Sequence, residues 1–165
     1  MNIILCGFMG CGKSTIGKFL AKKNNLKFID SDEYIVETQK MSISDIFKSF
    51  GEEKFREIET LAIKDISAFN NYIVALGGGA VLNPLNAEIL KNSGKIFFLN
   101  ASANEVYKRL KNDTSRPLLQ TEDKLTAITE LLQKRLPLYI NAADYIIDVN
   151  NKKIEEIVEE IENLM

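Results

Sequence analysis

No histidine occurs among the 165 residues. That absence excludes Ser-His-Asp hydrolysis, His-ligated zinc and histidine general bases together, so a proton acceptor near neutral pH is expected to be a carboxylate. Cysteine is nearly as scarce. Cys6 and Cys11 make no disulfide framework and read as thiols of a reducing compartment. Their closeness to the glycine-rich loop raises a redox switch, but two small, well-packed side chains are the simpler reading. Charge is almost balanced, with 21 Lys and Arg against 23 Asp and Glu and a net charge of −2. Neither nucleic acid nor an anionic membrane is expected as a partner, and any anion site must concentrate positive groups locally. No apolar run approaches the ~20 residues of a membrane span. The opening run Ile3-Ile4-Leu5-Cys6 is too short for a signal peptide, so a cytoplasmic location is expected. No stripe of exposed apolar residues announces an interface, and a monomer is expected.

What is present is a globular mixture, 45% apolar and 27% charged, of a length that suits one domain spanning 1–165. Short β-rich runs, Asn2–Cys6, Lys27–Asp30, Tyr72–Leu76, Lys95–Asn100 and Asp144–Val149, alternate with helical patterns. Most are continuously apolar, as strands covered on both faces are. The expectation is a three-layer α/β fold around a five-stranded parallel sheet. Helices are expected over Lys13–Asn24, Glu52–Phe69, Ser102–Lys111, Lys124–Asn141 and Lys152–Met165. A shorter one should open at the capping-box-like Ser42-Ile43-Ser44-Asp45 and stop at Gly51. In Glu52–Phe69 the residues Phe55, Ile58, Ala62 and Ile66 share one stripe. The stretch 112–123 is polar and aperiodic, and is expected to be a mobile lid.

The segment Gly7-Phe8-Met9-Gly10-Cys11-Gly12-Lys13-Ser14 follows a strand and opens a helix, the context of a P-loop. Glycines allow a tight backbone whose N–H groups point at phosphate oxygens, and the helix N-terminus adds positive potential. Lys13 is expected on the β- and γ-phosphates of a nucleoside triphosphate, and the Ser14 hydroxyl on Mg²⁺. The GTPase motif Asn-Lys-x-Asp is absent, and the third strand ends in Gly77-Gly78-Gly79 rather than in a Walker-B Asp. Asp30 and Asp32, at the carboxyl end of the second strand, face the ligand crevice of such a sheet, though they also suit the cap of the next helix. Arg56 suits a carboxylate or an ion pair with Glu52 or Glu59. Gly77-Gly78-Gly79 permits close backbone approach to a ligand or a flexible turn, while Arg116 and Arg135 read equally as a loop arginine and a solvated helix-end residue.

Taken in order, Gly7–Gly17, Asp30-Ser31-Asp32, Phe55-Arg56-Glu57-Ile58-Glu59, Gly77-Gly78-Gly79, Arg116-Pro117-Leu118-Leu119 and Arg135 with Tyr139 resemble shikimate kinase. The resemblance implies phosphorylation of the 3-hydroxyl of shikimate by ATP with Mg²⁺, on the route to chorismate and aromatic amino acids. It implies ATP on Gly10, Cys11, Gly12, Lys13, Ser14 and Thr15, with Arg109 near adenine and Arg116 from the lid. Shikimate would be held by Asp32, Arg56, Gly78 and Arg135, and the metal by Ser14 and Asp30. Lys13, Asp32 and Arg116 would be catalytic, with Glu59 orienting Arg56.

Overall fold

The computed structural model describes residues 1–114, 116 and 119–165. Its centre is β1 (Asn2–Cys6), all five residues of which are buried. β1 pairs in parallel with β3 (Tyr72–Ala75) and with β4 (Gly94–Asn100). β2 (Lys27–Asp30) and β5 (Tyr145–Asp148) form the edges, giving the order β2-β3-β1-β4-β5, parallel throughout. The chain leaves β1 toward one edge first and fills the other half later. That change of direction beside β1 opens a crevice at the carboxyl ends of the strands.

Helices lie on both faces. Leu5 pairs with Phe97 in the β1–β4 register. A Cβ on Gly17 would stand 3.3 Å from the Leu5 side chain, so α1 (Lys13–Lys23) covers that face. Phe98, one residue on, points the other way and stacks on Tyr139 of α6 (Lys124–Ala142) with 5.1 Å between ring centroids. α4 (Pro84–Ser93), α5 (Ala103–Leu110) and α7 (Ile154–Glu162) complete the layers. Among the described residues, no helix is long and apolar enough to cross a membrane.

The five expected strands are all present, with ends displaced by a residue at most; Leu76 lies beyond β3 yet still donates its N–H to Leu5 O at 3.0 Å. Two helices were not foreseen. α2 (Ser31–Gln39) follows β2 without a loop, and its Tyr34-Ile35-Val36 run breaks the helical stripe. α4 opens on Pro84, with Asn83 Oδ1 accepting from Leu85 N at 3.0 Å. Gly51 does not end a helix in a loop. Its φ of 81° interrupts α3 (Ile43–Ser67), which resumes at once as a kinked pair of helical runs. Phe55, Ile58 and Ala62 of the stripe form a second small core with Ile35 and Ile46, while Ile66 joins the main core.

Between α5 and α6 the described residues are irregular. Lys124 Nζ ties this connection down by donating to Leu110 O at 3.1 Å, Lys111 O at 3.3 Å and Asp113 O. Arg116 and Leu119 of the Arg-Pro-Leu-Leu motif are described, whereas Pro117 and Leu118 lie outside the described residues.

Candidate active site

The loop joining β1 to α1 turns tightly enough to need glycine: Gly12 caps the helix with a left-handed φ of 99°. Lys13 folds back across it. Its Nζ donates to Gly7 O and Phe8 O, both at 2.9 Å, and lies 3.7 Å from Cys11 Sγ. Gly10, Gly12, Lys13, Ser14 and Thr15 line one wall of a cavity of about 330 Å³. Cys11 does not line it: its side chain is fully buried, and its N–H donates to Phe8 O at 3.3 Å. Both cysteines are free and buried, and burial pushes the Cys6 thiol up to about 12, an inert state. Arg109 reaches the same loop, its Nη1 donating to Gly10 O at 3.0 Å.

Asp30 fulfils both of its readings at once. Its Oδ1 caps α2, accepting from Asp32 N at 2.9 Å and Glu33 N at 3.3 Å. Its Oδ2 accepts from Ser14 Oγ at 2.5 Å. Among the described residues, no group of three or more His, Cys, Asp or Glu could hold a metal. A hydroxyl and one carboxylate beside a phosphate cradle nevertheless suit Mg²⁺, which keeps several waters and takes few protein ligands.

Asp32 stands at a boundary. It lines the phosphate-loop cavity together with Gly77, Gly78 and Arg116, and the same four residues line a second cavity of about 90 Å³. Burial raises its pKa above the ordinary carboxylate value, and the Asp30 charge adds to the rise; Lys13, Arg116 and Arg56 oppose both. Arg116 Nε lies 3.4 Å from Asp113 Oδ2. Arg56 and Arg135 line the second cavity. The ring of Phe55 lies 5.2 Å from the Arg56 guanidinium carbon, and Nη1 donates to Glu59 Oε1 at 2.9 Å. Glu52 accepts from Nη2 at 3.4 Å, so both of the ion pairs suggested by spacing exist. Glu59 is only 1% exposed; burial raises its pKa and Arg56 opposes the rise. Arg135 is not a solvated helix-end residue: it is buried, with Phe8 beneath it at 5.8 Å.

The glycine triplet is explained by approach rather than by backbone angle. A Cβ on Gly77 would meet Asp32 Oδ1 at 2.6 Å, and one on Gly79 would meet Arg56 Nη1 at the same distance. Ser31 was missed by sequence reasoning. Its buried hydroxyl accepts from Gly77 N at 2.9 Å and fastens the start of α2 to the triplet. The only available signal was a small polar residue between two aspartates. Two guanidinium forks, an adjacent carboxylate with raised pKa and a phosphate cradle can together orient a hydroxylated carboxylic acid toward a nucleotide.

Comparison with known proteins agrees with this chemistry. The family model described as shikimate kinase matches residues 9–165. A shikimate kinase of Thermodesulfovibrio yellowstonii is 49% identical over 160 residues, covering 97% of this chain and 92% of that protein. One from Geobacter sulfurreducens is 42% identical, covering 97% and 88%. The solved structure of shikimate kinase from Acinetobacter baumannii in complex with shikimate superposes with a TM-score of 0.95 at 35% identity, covering 99% of this chain and 91% of that one.

Proposed function

The chain belongs to the shikimate kinase family, and from that premise we propose that its two adjoining cavities take ATP and shikimate, and that the γ-phosphoryl group passes to the 3-hydroxyl across the wall where Asp32 stands. The observation that carries this reading is that Asp32, Gly77, Gly78 and Arg116 line both cavities. Phosphoryl transfer needs alignment and charge stabilisation more than covalent help from the protein.

In this reading the backbone N–H groups of the loop from Gly10 to Thr15 and the α1 terminus hold the phosphates. Lys13 exchanges its loop carbonyls for phosphate oxygens, and Arg109 lies on the nucleotide side. Ser14 and Asp30 would hold Mg²⁺, which would offset the negative charge of the phosphates. Arg56 and Arg135 grip the shikimate carboxylate, with Glu59 fixing the Arg56 fork. The Gly78 backbone contacts the ring substituents. Asp32 orients the 3-hydroxyl and takes its proton, a task its raised pKa favours. Arg116 stabilises charge on the transferred group, carried by a lid over 112–123 that excludes water. The protein is read as a cytoplasmic monomer acting through one domain.

The test is an ADP-release assay with shikimate, gluconate and nucleoside monophosphates as acceptors. Release stimulated by shikimate alone is expected. Equal or greater stimulation by gluconate or a nucleotide would overturn the assignment.

A further inference from the structure

Tyr139 has no part in the reaction as described, yet it heads the fully buried side chains by volume and is 0% exposed. A phenylalanine would fill that space without the penalty of burying a hydroxyl. The hydroxyl is used. It donates to Gly78 O at 2.5 Å, while the ring is fixed by its stack on Phe98. Arg135, one helical turn earlier on the same face of α6, sets its guanidinium beside that phenol oxygen. Burial pushes the phenol pKa far up, so the group stays a neutral donor.

The bond falls where the backbone has least to hold it. The Gly77–Gly79 segment has no side chains, and its peptide planes must be set from outside. On its other side Gly78 rests against the phosphate loop: a Cβ there would stand 3.3 Å from Met9 N and 3.8 Å from both Gly7 O and Arg135 Nη1. A peptide is planar and trans, so fixing the Gly78 carbonyl fixes the Gly79 N–H in the opposite direction. We propose that Tyr139 is a positioning residue for the acceptor substrate: its hydroxyl holds the Gly78–Gly79 peptide and the Arg135 guanidinium in one register against the phosphate loop. This rests on the assignment of Arg135 and Gly78 to shikimate binding.

The experiment compares Tyr139→Phe with Arg135→Ala in steady-state assays that vary each substrate in turn. Loss of one buried hydrogen bond should raise the KM for shikimate about tenfold in Tyr139→Phe. The KM for ATP should stay within about twofold, as only the acceptor side is released. If Arg135→Ala raises the KM for shikimate and Tyr139→Phe does not, the positioning role fails while the substrate assignment stands. If Arg135→Ala leaves it unchanged, the assignment fails and the inference with it. Equal rises for both substrates in Tyr139→Phe would mark a merely structural residue. Should that variant be too unstable for kinetics, its melting temperature is followed with saturating shikimate and, separately, with Mg-ADP. Loss of the shikimate shift alone supports the role, and loss of both or of neither overturns it.

Discussion

A Cβ on Gly79 would stand 2.6 Å from Nη1 of Arg56 and 2.7 Å from Nη2. The obstacle is the tip of a flexible side chain, so Gly79→Ala is expected to fold with little loss of stability while pushing the fork off its place. Its KM for shikimate should rise several-fold, with the KM for ATP nearly constant. Gly94→Ala is the contrast, because its Cβ would overlap the backbone carbonyl of Asn2, which cannot swing aside. Thermal melts and two-substrate kinetics on the pair check the distinction; a Gly79→Ala enzyme with wild-type shikimate kinetics would refute it.

How far the site could be read from sequence depended on range. Gly7–Ser14, with strand and helix on either side, is a local motif, and its backbone follows from glycine at fixed spacing. Asp30 was legible because it ends a strand beside that motif; one of its oxygens caps α2 and the other accepts from Ser14. Ser31 and Tyr139 act on a glycine segment 46 and 61 residues away, through hydrogen bonds that no periodicity reports. Arg135 looked like a solvated residue because pattern alone cannot place Phe8 under its guanidinium. α2 escaped because its apolar residues are contiguous, and packing on α3 through Ile35 supplies what the stripe lacks.

The two oxygens of Asp30 can be separated by substitution. Asp30→Asn keeps an acceptor for the α2 cap but loses the anionic oxygen facing Ser14. Its stability should stay near wild type while the Mg²⁺ concentration for half-maximal activity rises. Asp30→Ala should also lose about 1 kcal/mol through the missing cap. Urea melts and Mg²⁺ titrations of both variants read the two effects apart, and an unchanged Mg²⁺ requirement in Asp30→Asn would remove the metal role.

Arg56 and Glu59 form an ion pair whose loss should cost stability as well as weaken the proposed carboxylate contact. Arg56→Ala leaves a buried carboxylate without its 2.9 Å partner, at a cost of roughly 1–3 kcal/mol near neutral pH. Glu59 already titrates above its ordinary value, and losing Arg56 removes the first influence opposing that rise. The folded form therefore binds the proton more tightly than the unfolded form, so the penalty should fade as pH falls toward the ordinary carboxylate range. Arg56→Ala/Glu59→Gln should regain the stability and still bind shikimate poorly. A double variant no more stable than Arg56→Ala at pH 7 would contradict the coupling.

Asp32, proposed to take the hydroxyl proton, carries the same sign of linkage. Its folded-state pKa is raised by burial and by the Asp30 charge, so its ionised form is disfavoured by folding. The resulting penalty is complete above the raised pKa and shrinks as pH falls through it, vanishing below the unfolded value. Asp32→Asn, which cannot ionise, should therefore be more stable than wild type at pH 7, and the difference should shrink to nothing below the ordinary carboxylate pKa of about 3.9. Turnover should move the other way. The wild-type rate should fall on the acid side as Asp32 is protonated, because the hydroxyl proton then has no acceptor. In Asp32→Asn that acid limb should disappear and the rate at pH 7 should drop by about 10²–10⁴-fold, the usual contribution of a positioned base. Denaturation and rate profiles on the same samples test both halves. A variant with near-normal turnover, or one destabilised at pH 7, would show that this carboxylate is held there for some purpose other than proton acceptance.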